Sequence, residues 1–477
     1  MLGRLKAMFT PRDMSQGTPW KRIAEFAFPM LVGNFAQQLY NTVDAVVVGN
    51  SRWGYTALGA VGNAAPVLNL LLALFVGIAT GAGILVAQYF GARNSKALSK
   101  TIGNCITVTA VASVIIMVLG PLITGPLLRA VGTLPSMYDG CRDYLNIYFI
   151  GIAGFFYYNI LAGVLRGLGD SLSALGFLLL TSVLNIGLDL AFVDKMGVAG
   201  VALATVLAQF ISAALCLVKL LSLKKLFTLK KEDLKIDGTY LSLIVRLGVP
   251  SGLNQALFSC AMMVVQRLIN GFGSEMFTAC NVMVMRVDGY AMLPNFSFGQ
   301  AMSTYAGQNL GARKLDRLGV GTRQGLIMSL ATALVLTPLV LLFGPVLMRL
   351  FTPEQALIDL SMRMMYILAA GYIAMAATQV LAGVMRGAGD TLTPMWITLG
   401  TTIGMRLPLA YALVALTRNA GAAVETQQQM VFVSLLISWL AGMVITSVLY
   451  ARGGWKKKQV KPLEEELRRE RESAGNG

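Results

Sequence analysis

The sequence predicts an all-α polytopic membrane protein, with twelve transmembrane helices in two parallel six-helix repeats. Three observations carry that expectation. Of 477 residues, 56% are hydrophobic and only 13% charged, with mean hydropathy +0.66; an ordinary soluble domain is about 25% charged, so this chain cannot clothe itself in polar surface. Long apolar runs recur along its length, each near the roughly 20 residues a spanning helix needs. Finally, the chain matches itself at an offset of 220 residues.

The apolar runs fall at 22–49, 56–89, 101–124, 141–165, 172–193 and 197–222, then at 242–270, 278–306, 321–350, 360–386, 392–416 and 427–451. They are long and continuous, which indicates helices; a β-barrel gives short alternating segments. The expected organisation is a cytoplasmic head (1–21), a first six-helix lobe (22–222), a charged cytoplasmic linker (223–241), a second lobe (242–451) and a charged cytoplasmic tail (452–477). Residues 1–21 hold no apolar run fit for a signal peptide, so the amino terminus is expected to stay in the cytoplasm. With that side inside, 29 of the 39 Lys and Arg residues face the cytoplasm, as the positive-inside rule requires. The expected location is therefore the cell membrane, multi-pass, with both termini cytoplasmic. The tail after Trp455 alternates charge blocks with little to bury and reads as a solvated tail or surface helix.

Composition also removes whole classes of chemistry. There is no histidine, hence no imidazole metal site or histidine relay. The five cysteines are scattered singly and read as buried free thiols. No nucleophile elbow, P-loop or HExxH is present, so no enzyme is expected. The net charge of +16 sits mostly in loops between apolar runs, where anionic lipid, and not nucleic acid, is the partner.

At the 220 offset, LAGVLRGLGDSL (161–172) meets LAGVMRGAGDTL (381–392), and AQYFGARN (87–94) meets GQNLGARK (307–314). Each repeat holds an even number of spans, so both run in the same sense; such repeats carry a transport site at their interface. In the Arg-Gly-x-Gly-Asp loops, glycine permits a tight turn. Asp170 and Asp390 can cap the next helix, and Arg166 and Arg386 can meet helix carbonyls or lipid headgroups.

Polar residues within the spans are the functional candidates. Asn34, Gln37, Asn41 and Asp44 form one stripe of the first span; Ser182, Asn185 and Asp189 form another on the fifth. If the stripes meet, Asp44 and Asp189 share a poorly solvated pocket where burial and mutual repulsion favour uptake of a proton. The same oxygens, with Asn185 and Asn41, could instead hold Na⁺. The alternative is two capped acids near the outer surface. The offset places Val264 and Leu409 opposite these acids, so coupling is expected in the first half alone. The second half carries Arg286, Asp288 and Arg406, with Arg406 pairing with Asp288 either as a structural clamp or at a ligand. Pro29 precedes the first stripe and allows a bend. Eighteen of 25 methionines follow residue 237. Met262, Met283, Met285, Met292 and Met302, with Tyr40, Phe155 and Tyr157, could line a permissive cavity or pack toward lipid.

Together Pro29-x(14)-Asp44, the paired Gly-Ala-Arg loops, the doubled LAGVxRGxGD and Asn185 with Asp189 resemble the MATE (multidrug and toxic compound extrusion) family, in its DinF-like branch. The resemblance spans roughly residues 20–450. It implies a V-shaped pair of six-helix lobes that exports small, often cationic and amphipathic organic compounds against inward H⁺ or Na⁺, as a monomer without cofactors. Asp44 and Asp189 would be its coupling pair and Asn34, Gln37, Asn41 and Asn185 its pocket. The competing expectation is a flippase for lipid-linked oligosaccharide or another lipid, which would want several cavity arginines.

Overall fold

The computed structural model describes residues 10–49, 54–131, 133, 135–349 and 352–458, with side chains described throughout except at 40–42, 44–46, 48–49, 54–63, 65–67, 70, 130–131, 135–137 and 457. The first half holds α1 (Pro19–Gly49), α2 (Gly54–Gly91), α3 (Ser95–Val131), α4 (Pro135–Ile150), α5 (Ile152–Gly167), α6 (Ser171–Met196) and α7 (Val198–Ser222). The second holds α8 (Gly238–Asn270), α9 (Glu275–Gly311), α10 (Leu315–Arg349), α11 (Gln355–Gly387), α12 (Leu392–Thr398), a π-helical segment (Leu399–Arg406), α13 (Leu407–Asn419) and α14 (Val424–Ala451). No strand occurs among the described residues. Among the described residues nine segments, with α12, the π-helical segment and α13 taken as one, are long and apolar enough to cross a membrane, or ten with α4 and α5 counted as one span bent by 53°. Two long helices, α1 and α9, fall outside that count. Their polar residues, among them Asn34 and Gln37 in α1 and Arg286 and Asp288 in α9, lower the mean hydropathy without shortening the helix.

The fourth run, expected as one rod, breaks at Gly151, and the eleventh is α-helical only at its ends. Neither departure changes how apolar the segment is, so hydropathy does not register it.

The chain divides into two compact units: Met1–Met14, Phe28–Gly252 and Gly311–Arg313 in one, and Ser15–Ala27, Leu253–Leu310 and Lys314–Gly477 in the other. In the first unit the core is aromatic. Phe75 and Phe156 stack at 3.6 Å, and Tyr144, Tyr148 and Phe155 tile around them. The linker after α7 packs against α3, with Thr107 donating to Leu234 O at 2.6 Å and Asn104 Oδ1 accepting from Asp237 N at 2.8 Å. In the second unit the core is methionine-rich: Met283, Met292, Met348, Met362, Met364 and Met365 surround Phe277, Tyr372 and Phe432.

Small residues set the helix contacts. Gly163 and Gly167 on α5 lie against the backbone of Ala79 and Gly83 on α2. At the same offset, Gly383 and Gly387 on α11 lie against Gly299 and Ser303 on α9. The glycines of the doubled motif thus stitch equivalent helix pairs, and a Cβ at any of them would run into a facing carbonyl. A further close contact in the first unit joins Gly77 and Gly81 on α2 to Gly248 and Gly252 on α8, where backbone meets backbone.

The repeated loops are built alike. Gly169 (φ +85°) and Gly389 (φ +97°) take the left-handed conformation that ends α5 and α11. Asp170 accepts from Ser173 N at 3.0 Å and Ser173 Oγ at 2.7 Å; Asp390 accepts from Thr393 N at 3.1 Å and Thr393 Oγ1 at 2.7 Å. A lysine pairs with each buried carboxylate, Lys219 with Asp170 at 3.6 Å and Lys458 with Asp390 at 3.0 Å. Arg93 (φ 57°) and Arg313 (φ 58°) occupy matching left-handed positions after α2 and α9. Arg166 is half-buried beside Tyr158 and Cys216 rather than turned out to headgroups.

One further expectation changes: Cys260 is exposed while the other four cysteines are buried. Trp455, just before the charged tail, is buried, stacks on Tyr450 at 5.2 Å and donates its Nε1–H to Tyr450 O, as an indole gains by leaving water; the tail from residue 459 on lies outside the described residues.

Candidate functional site

In the first unit, α6 begins at the Asp170 cap and runs 26 residues. Its polar side chains do not scatter. Thr181, Asn185 and Asp189 recur every fourth residue and are 5%, 1% and 0% exposed, whereas Val183 and Leu190 beside them are 71% and 61% exposed. The helix therefore buries its polar stripe and turns its apolar side outward, the reverse of a soluble helix and the arrangement of a membrane helix facing a protein interior. Asp189 sits fully within the protein, seven residues before the end of α6. Thr181 is a member of the stripe that the sequence reading passed over; the i, i+4, i+8 spacing was its signal. Ser182 is half-buried and donates to Leu178 O at 2.8 Å.

Helix α1 meets α6 at Gly33, whose Cα faces Leu175 and Leu178. Further along α1, Asn34 is half-buried and Gln37 exposed. The side chains of Tyr40, Asn41 and Asp44 lie outside the described residues, although their backbone continues the helix. Pro29 is buried within an unbroken α1.

The residues named for a permissive cavity have different surroundings within their own units. Phe155 belongs to the aromatic core, while Tyr157 donates to Ile106 O on α3 at 3.0 Å. Met283, Met292 and Met302 are packed cores, at 5%, 4% and 0% exposure. Met262 and Met285 border open space. Methionine suits a core and a binding surface equally, so composition alone could not separate the two.

That open space is a second site, within the second unit. A cavity of about 20 Å³ is lined by Met262, Asn281, Met285, Asp288 and Arg406, with apolar walls from Leu368 and Phe432. Arg406 is 4% exposed and closes the π-helical segment; such wide turns shift side-chain register and gather at functional sites. Tyr372 stands beside the Asp288 carboxylate. No ion pair within 4.0 Å joins Asp288 to Arg406 among the described residues, so the expected direct clamp is replaced by two charges facing one cavity. Arg286, two residues away on α9, is exposed.

A chain that is helical throughout its described regular structure, with two equivalent half-structures and a buried polar stripe on a spanning helix, has the architecture of a membrane transporter. Its family follows from comparison with known proteins. The MatE family profile matches residues 29–191 and 250–412, one match per repeat, and this chain belongs to that family. The matches begin at Pro29 and Pro250. A probable multidrug resistance protein of Bacillus subtilis, YoeA, is 29% identical over 94% of this chain and 97% of its own length. DNA damage-inducible protein F of Escherichia coli is 28% identical over 70% of this chain and 72% of its own. Among solved structures, an outward-facing conformation of a multidrug resistance MATE family transporter superposes with TM-score 0.85 at 22% identity, over 96% of this chain and 99% of the other. The family is one of multi-pass transporters, not enzymes.

Proposed function

We propose that this protein is a secondary active multidrug exporter, moving cationic or amphipathic organic compounds out of the cell by alternating access in exchange for H⁺ or Na⁺. The carrying observation is the buried Thr181–Asn185–Asp189 stripe on α6. A carboxylate held away from water by protein is either neutralised by a proton or paired with a cation, and either partner changes the charge of the pocket around it. Asp44 is the proposed companion. It lies eleven residues beyond Gly33, as Asp189 lies eleven beyond Leu178, and Gly33 faces Leu178. With about 1.5 Å rise per residue, and both helices running from cytoplasm to outside, the two acids fall at similar depth.

Asn185 and Asn41 supply neutral oxygens to the same pocket, and Asn34 and Gln37 extend it toward the cytoplasm. Loading Asp189 and Asp44 with a cation removes their mutual repulsion and lets the pocket contract. Discharge restores the repulsion and reopens it to passenger. Pro29 brings no backbone N–H to the helix ladder, which gives α1 a place to bend as the pocket changes. The membrane is the cell membrane, with both termini in the cytoplasm.

The test is ethidium transport in everted vesicles under a pH gradient or a sodium gradient applied separately. One gradient alone is expected to drive uptake. Asp189→Asn is expected to reduce driven transport at least tenfold with the protein still inserted and monodisperse. Transport by that variant at the wild-type rate, or lipid scrambling without movement of any organic cation, overturns the reading.

A further inference from the structure

The charges around the second-unit cavity have no counterpart in the first unit: the 220 offset places Leu68 and Ile186 opposite Asp288 and Arg406. The site therefore does not repeat the α6 stripe. Its groups are also incompletely satisfied. Arg406 Nε and Asp288 Oδ1 are buried atoms with no hydrogen-bond partner. Arg406 Nη1 donates only to the Met262 sulfur at 3.7 Å, a weak acceptor for a guanidinium. A buried guanidinium without an anionic partner is costly to maintain. Here it lines an opening bordered by Met285, which is 43% exposed.

From the other direction a polar chain approaches the same opening. Exposed Asn270, at the end of α8, accepts from Gln266 Nε2 at 2.9 Å, and Gln266 Oε1 accepts from Asn281 Nδ2 at 2.8 Å. Asn281 is itself a wall of the cavity. Amides thus lead from an exposed helix end to the charged residues.

We propose that this cavity recognises the carboxylate of zwitterionic passengers, with Arg406 as the anion anchor. The inference rests on the export reading above and specifies which compounds that activity accepts. The volume of about 20 Å³ admits a water molecule or the carboxylate end of a longer molecule, not a whole drug, so the cavity is an anchor point beside a larger path. A guanidinium suits this role because its planar fork matches a carboxylate with two parallel hydrogen bonds. Met262, Met285, Leu368 and Phe432 supply apolar walls that exclude water and strengthen the charged contact.

The test uses rhodamine 110 and its methyl ester, rhodamine 123. The two dyes share one cationic ring system and differ only in whether the carboxyl group is free. Vesicles with wild-type protein are expected to bind and transport rhodamine 110 with at least tenfold better apparent affinity than rhodamine 123. Arg406→Gln is expected to lower the apparent affinity for rhodamine 110 at least tenfold more than those for ethidium and rhodamine 123, which erases the preference, and Arg406→Lys is expected to restore part of it. Equal loss of all three dyes in Arg406→Gln, retention of the preference, or a wild type that shows no preference overturns the inference. Should both Arg406 variants fail to fold, the wild-type preference alone decides between these outcomes. Failure of the wild type to move ethidium or either dye would instead refute the export reading.

Discussion

Gly169 stands at φ +85°, with the Arg12 carbonyl where its Cβ would be. An L side chain in the left-handed region costs about 1–2 kcal/mol, and displacing the Arg12 backbone adds to that. Gly169→Ala is expected to lower stability by at least about 2 kcal/mol, read as a fall in melting temperature. Gly319→Ala is the control, since nothing lies within 4 Å of that position; a helical Gly→Ala change there should be neutral or stabilising by up to about 1 kcal/mol. Arg93 and Arg313 take the left-handed region without being glycine. Their position in loops rich in Lys and Arg suits the inner membrane face, where each charge is worth about 1 kcal/mol against anionic lipid. Residue identity was legible at both capping aspartates because Asx capping is a local rule. Tyr372 was not legible as a neighbour of Asp288, since 84 residues and one whole helix, α10, separate them in the chain.

Helices in this protein meet through glycine because lipid offers no hydrophobic penalty for keeping them apart; close packing must supply the attraction. The α2–α8 contact at Gly77, Gly81, Gly248 and Gly252 uses that device on both faces. Gly81→Val is expected to force these helices apart and to leave little folded protein, by a loss of about 4 kcal/mol or more. Size-exclusion profiles of detergent extracts would show it, and a wild-type profile would mean the contact can yield. Both glycine pairs are spaced four apart in the sequence, so the signal was present without naming its partner. Of the symmetric stitches, Gly167 and Gly387 belong to the loops read as tight turns, yet together with Gly163 and Gly383 they also carry helix packing. Within α6, the polar stripe was legible from its period; which side faced the protein interior was not, because hydropathy does not say what a helix packs against.

Across the whole chain, the run of apolar segments and the shared offset were sufficient to predict two six-rod halves. Grouping α4 with α5, and α12 with the π segment and α13, leaves six rods per repeat. Orientation rests on charge counting, and it carries its own prediction. A fluorescent protein fused after Gly477 is expected to fluoresce, and alkaline phosphatase inserted at Gly421, between α13 and α14, is expected to be active outside. Inactive phosphatase there would reverse the topology. The halves share a scaffold but not their ionisable residues: Asp189 belongs to one, and Asp288 with Arg406 to the other. Similarity in packing with divergence in charge is how a duplicated frame comes to hold two unlike sites.

The wide turn at Leu399–Arg406 has a surgical implication. A segment wound with one surplus residue can be returned to ordinary pitch by removing a single position, Gly404 for instance, without breaking the rod on either side. The side chains of the wide turn would then be re-aimed relative to those before it. Arg406 would point elsewhere while composition, charge and span length stayed nearly constant, so one deletion would test aim independently of chemistry.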